Sequence, residues 1–114
     1  MTTIHSMRLQ NHYFNCIKNG SKRIELRLYD DKRKQIKLND IIQFFNEEQD
    51  NISAKVIGLL YYSNFHDLIS DFDIDLLADK SMTKNDLLDD LNRFYSQQQQ
   101  QQFGVIGIRI KLLD

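Results

Sequence analysis

No proline and no tryptophan occur in this chain, and cysteine occurs once. Without proline there is no cis-prolyl turn and no polyproline segment. The single thiol, Cys16, cannot close an internal disulfide, which fits a reducing, cytoplasmic environment. Cys16 stands beside Phe14 and Ile17 on a short amphipathic stretch and reads as a small apolar filler, not a nucleophile. No apolar run approaches the roughly 18 residues of a membrane-spanning helix, and no signal-peptide hydrophobic region is present. A soluble protein with no membrane partner is expected. CxxC, HxxxH, Walker and GxGxxG motifs are missing. His5, His12 and His66 lack metal-ligand spacing, so neither a metal nor a cofactor is expected.

The 114 residues, 41% hydrophobic and 27% charged, suffice for one globular domain spanning 1–114 with a modest core. The net charge of −1 predicts no polyanion partner, but its distribution is uneven. Lys18, Lys22, Arg23, Arg27, Lys32, Arg33, Lys34 and Lys37 face only Glu25, Asp30 and Asp31 within the same segment. Eight aspartates between Asp67 and Asp90 face only Lys80 and Lys84. A neutral total therefore carries a local positive field that attracts phosphate.

The chain is organised around Lys18–Arg27, K-N-G-S-K-R-I-E-L-R. Ile24, Leu26 and Leu28 share one face of a strand pattern, with Arg23, Glu25 and Arg27 on the other. That alternation predicts a strand covering a core on one side only. Its charged face reads either as a solvated surface whose charges offset one another or as a ligand site. Gly20 allows the tight turn before it.

Ahead of this stretch, Ile4–Leu9 is a plausible strand and Gln10–Asn19 a short helix stopped at Asn19-Gly20. After it, Asp30–Gln35 reads as an exposed basic loop. Ile41–Asn46 reads as a buried strand, Glu47–Asn51 as a hairpin loop, and Ile52–Tyr62 as a long strand with a bulge or corner at Gly58. Phe65–Phe72 has helical spacing, Asp73–Asp79 is irregular, and Thr83–Asp86 resembles a capping box opening a second helix. Gln97–Gln102 is a low-complexity run read as a helix extension or polar linker, and Phe103–Leu112 is the last strand, with Ile106, Ile108, Ile110 and Leu112 on one face. Five strands interleaved with helices predict an α+β fold built on a small mixed β-barrel.

Gly20, Lys22, Glu25 and Arg27 reproduce the G-x-K-x-x-E-x-R signature of ASCH (activating-signal-cointegrator homology) domains, and the order of elements resembles that family over nearly the whole chain. The resemblance implies a PUA-like barrel, a group that includes RNA-modification modules. A small amidohydrolase branch of the family looks built on lysine, threonine and glutamate. Lys22 matches its lysine, but Glu25 stands at the threonine position, and the region expected to hold the second carboxylate reads Lys80-Ser81-Met82-Thr83.

Three functions follow as expectations. The first is binding of RNA or a nucleotide-like ligand in a cleft lined by Lys22, Arg23, Glu25 and Arg27, with Lys32, Arg33 and Lys34 on phosphate. Tyr29, or Tyr13, Tyr61 or Tyr62, would stack a base. The second is a small hydrolase, acting on a modified nucleoside or on RNA, with Lys22 as general base beside Glu25. Glu25 opposes that role, because a nearby carboxylate favours the ammonium form. The third is a protein-interaction module using the acidic helices.

Overall fold

A computed structural model describes residues 2–113. Its elements are β1 (Ile4–Arg8), α1 (Asn11–Lys18), β2 (Ile24–Leu28), α2 (Asp31–Lys34), β3 (Ile41–Phe45), β4 (Asn51–Tyr62), α3 (Phe65–Ser70), α4 (Ile74–Leu77), α5 (Lys84–Phe94), α6 (Gln97–Phe103) and β5 (Val105–Leu112). The strands form one curled sheet in the order β1-β3-β4-β5-β2. β1 and β3 are parallel, and the other neighbours are antiparallel. The expected five-stranded α+β barrel is therefore present as a curled half-barrel, with β1 and β2 as its edges among the described residues.

Strand alternation places the core. Met7, Ile42, Phe44, Ala54, Val56, Ile106, Ile108 and Ile110 line the concave side with Phe14 and Ile17 of α1. Ile24, Leu26, Leu28 and Val105 cover the opposite side against Phe65, Leu68 and Ile69 of α3 and Leu87 and Leu91 of α5. Burying each such aliphatic side chain contributes about 1.5–3 kcal/mol. The ladder shifts register between Val56 and Gly58, a bulge where the sequence suggests one.

Three expectations need correction. β2 does not cover a core on one side only: Glu25 and Arg27 lie opposite Ile108 and Ile106 in the ladder, on the concave face, and Glu25 is 4% exposed. The alternation is real, but helices cover one face while the curl of the sheet encloses the other. The basic loop contains a helical turn, because the Asp30 carboxylate accepts from the Arg33 backbone N–H at 3.2 Å and caps it. The acidic segment is likewise not wholly irregular, since α4 forms within it. Its approach to β2 is fixed by the Arg23 N–H donating to the Leu76 carbonyl at 2.7 Å.

The glutamine run is a helix of its own, opened by a Ser96–Gln99 capping box. Its one buried member, Gln100, accepts from the Phe65 N–H at 3.2 Å and donates to Asn92 at 3.1 Å and to the Tyr95 carbonyl at 3.3 Å. Among the described residues no helix is long and apolar enough to cross a membrane.

Candidate functional site

The site lies where the curled sheet fails to zip. No backbone ladder joins β1 to β2 among the described residues, and a side chain spans the gap instead. Arg27 Nη2 donates to the Arg8 backbone carbonyl at 2.7 Å. Beneath this bridge, Arg27 Nε and Nη2 both meet Glu25 Oε2 at 2.8 Å. Glu25 Oε1 accepts from Lys22 Nζ and from the Leu26 N–H, each at 3.2 Å.

Lys22 reaches this position because of the turn before β2. Gly20 adopts φ +89°, in the left-handed region that favours glycine. The Lys22 N–H then donates to the Cys16 carbonyl at 3.0 Å, and Ser21 Oγ lies 2.8 Å from the Ala78 carbonyl. The docked α4 segment supplies an acceptor for the side chain. Lys22 Nζ donates to the Leu77 carbonyl at 2.8 Å and to the Ile24 carbonyl at 2.7 Å. With Glu25 as the third partner, all three ammonium hydrogens are taken.

Charge follows from this enclosure. Burial pulls Lys22 below the ordinary lysine value, opposed by Glu25. Burial alone would raise Glu25, but Arg27 and then Lys22 outweigh it and hold the carboxyl below its ordinary 4.5. Burial would also lower Arg27, yet Glu25 and Tyr95 carry it above its ordinary value. Lys22 and Arg27 thus flank one carboxylate, with Arg27 carried above and Glu25 held below its ordinary value.

A cavity of about 170 Å³ opens on this group. Tyr13 and Arg8 wall it on one side, and Asp90, Leu91 and Phe94 of α5, with Tyr95 just past its end, on the other. The Tyr13 hydroxyl donates to Asp90 Oδ2 at 2.5 Å and ties α1 to α5. Burial above all pushes that hydroxyl up to about 12, so it remains a neutral donor. At about 30 Å³ per water the cavity holds on the order of five or six, the size of one ring system rather than a nucleotide.

A second, shallower groove of about 520 Å³ shares Arg8 and Arg27 with the first and continues to Lys32 and Arg33. Four cationic side chains and no carboxylate line it. Arg33 pairs through Nη1 with Asp30 Oδ2 at 3.1 Å, while its buried Nε has no partner among the described residues.

The structure thus brings Lys22, Glu25 and Arg27 into one buried cluster, with Lys32 and Arg33 beside it. Lys34 and Tyr29 lie apart: Lys34 Nζ sits 5.6 Å from the centre of the Tyr29 ring, which packs edge-on against Tyr61. Arg23 is exposed and donates to the Gly20 carbonyl at 3.3 Å. The Tyr62 hydroxyl is engaged by Asp71 at 2.6 Å. Several aspartates of the acidic stretch serve local structure: Asp86 completes the α5 capping box, and Asp90 holds Tyr13.

Arg8, Asp90, Phe94 and Tyr95 have no motif to announce them. They come from distant parts of the chain and meet only through the curl of the sheet and the packing of α5.

The fold is similar to the crystal structure of hypothetical protein PH0355, with a TM-score of 0.86 and 32% identity, covering 97% of this chain and 100% of that one. It is also similar to the solution NMR structure of protein PF0455 from Pyrococcus furiosus, with a TM-score of 0.78 and 28% identity, covering 98% of this chain and 99% of that one. Among curated proteins none matches the chain. The ASCH-domain family model matches residues 7–114, signature strand and closing strand included, and the protein belongs to that family.

Proposed function

We propose that this protein binds RNA or a nucleotide-like ligand in the seam between β1 and β2, with one base in the cavity and the adjoining phosphate in the basic groove. The observation that carries this reading is the groove itself, where Arg8, Arg27, Lys32 and Arg33 converge without a lining carboxylate. Membership of the ASCH family supports a general RNA-binding, PUA-like module.

In this reading the roles divide. Arg27 meets the ligand through the part of its guanidinium not held by Glu25 and Arg8, beside Tyr95. Lys22 and Glu25 are positioning residues that hold the guanidinium at a fixed angle. Tyr13, Phe94 and Tyr95 offer aromatic surface to a base.

The arrangement favours binding over hydrolysis. A general base needs a lone pair facing its substrate, whereas the hydrogens of Lys22 Nζ are directed at three protein oxygens.

The test is binding of single-stranded RNA by the purified protein across a salt series. Affinity is expected to fall with a slope near −0.7 per contacted phosphate, and Arg27→Ala to abolish binding. Salt-independent binding, no binding at low salt, or turnover of RNA or an N-acylated nucleoside that is lost in Lys22→Ala would overturn the reading.

A further inference from the structure

One cluster of chemistry-bearing side chains lies outside the seam. His12 and Cys16 are one helical turn apart on α1, and Asp79 follows α4. Cys16 Sγ donates to Asp79 Oδ2 at 3.2 Å and lies 3.9 Å from His12 Nε2. The three ligand atoms all fall within 4.8 Å of one another.

We propose that His12, Cys16 and Asp79 form a binding site for a thiophilic divalent transition metal, zinc above all. Metal–ligand bonds of about 2.0–2.3 Å in a tetrahedron separate the ligand atoms by about 3.3–3.8 Å, close to the 3.2 Å and 3.9 Å that separate Cys16 Sγ from Asp79 Oδ2 and His12 Nε2. The His12 ring stands edge-on to Tyr13 with Nε2 toward Cys16, and its exposure leaves an entry path from solvent. Asp79 is pre-set, since its Oδ1 is held by the Ser81 N–H at 2.9 Å and by the Ser81 hydroxyl, which leaves Oδ2 for the ion. One thiolate, one imidazole and one carboxylate select zinc or cobalt over magnesium or calcium, which favour all-oxygen sites. Solvent fills the fourth position.

Binding replaces a proton with the ion. The thiol proton now shared between Sγ and Oδ2 leaves to solvent as the Sγ–metal bond forms, and no oxidation occurs. A nucleophilic role fits the geometry less well, because Asp79 sits on the thiol itself instead of orienting His12. The ion would also pin α1 to the segment whose Leu77 carbonyl holds Lys22. This inference does not depend on the RNA reading.

The test uses tag-free full-length protein titrated with Co²⁺ and then Zn²⁺. One Co²⁺ per chain is expected, with a thiolate-to-cobalt charge-transfer band in the near ultraviolet that Zn²⁺ bleaches. Cys16→Ser is expected to abolish the band, and His12→Gln to weaken zinc affinity by at least about tenfold. Should Cys16→Ser fail to fold, His12→Gln, at an exposed position, decides the matter. His66→Gln serves as the control and is expected to change nothing. Absence of the band in the wild-type protein, or zinc affinity unchanged in His12→Gln, would overturn the proposal.

Discussion

Arg27 and Arg8 join the two free edges of the sheet through one bond, from the Arg27 guanidinium to the Arg8 backbone carbonyl, 2.7 Å long. The same guanidinium is clamped from below by Glu25. Sheet closure and the proposed ligand contact therefore depend on the orientation of a single side chain.

Removal of Glu25 should be costly. Glu25→Ala leaves Lys22 and Arg27 as buried cations without a counter-charge, an arrangement that destabilises by about 3–5 kcal/mol. Urea denaturation against wild type measures it. A cost below about 1 kcal/mol would mean that water enters the cluster and solvates it.

The acid limb of stability should carry the same signature. The folded carboxyl of Glu25 titrates below its ordinary 4.5, so its contribution is complete above that value. The contribution is lost progressively as pH falls from there through the lower folded value. Glu25→Gln should start less stable and show a flatter dependence below pH 4.5. Parallel curves for the two proteins would assign the acid limb to other carboxylates.

The basic segment should divide by position and not by charge. Lys32→Ala combined with Arg33→Ala removes two groove cations and should lower the RNA salt slope by about 1.4. Lys34→Ala, on the Tyr29 side of α2, should leave it unchanged. Equal effects from all three positions would describe a diffuse field instead of a groove.

Within the glutamine run only one residue should matter. Gln100→Ala leaves the buried Phe65 N–H without its partner and removes one of the two amide donors to Asn92, and should cost about 1–3 kcal/mol. Gln98→Ala, at an exposed helical position, should be near neutral. Thermal denaturation of the two variants is a direct comparison.

Ile108 is fully buried at the centre of the concave core, next to Glu25 in the ladder. Ile108→Ala should cost about 2–5 kcal/mol. A smaller loss would indicate that the barrel wall collapses onto the space.

Periodicity located the strands, the bulge near Gly58 and the α5 capping box, because each is encoded within a few consecutive residues. The signature pointed to Lys22, Glu25 and Arg27 as a group for the same reason. The environment of that group was not legible. A strand with charges on alternate positions looks the same whether its second face meets water or the inside of a curl, and the curl arises from pairing β2 with β5, about eighty residues later. The Gln100 bracket was hidden by repetition, since six identical residues carry no pattern to single one out. Cys16 read as an apolar filler because Asp79, its hydrogen-bond partner, lies 63 positions away.

An open seam has a mechanical consequence. Free strand edges are templates for unwanted pairing with other chains, and here the two edges shield each other without being zipped. To part them breaks one charge-assisted bond, worth about 1.5–3 kcal/mol, where a paired five-residue strand would surrender a whole ladder. The barrel is thus stiff around most of its circumference and compliant along one line. That line runs through the cavity, so an entering ring can widen its own berth at the expense of this bond and the Tyr13–Asp90 contact.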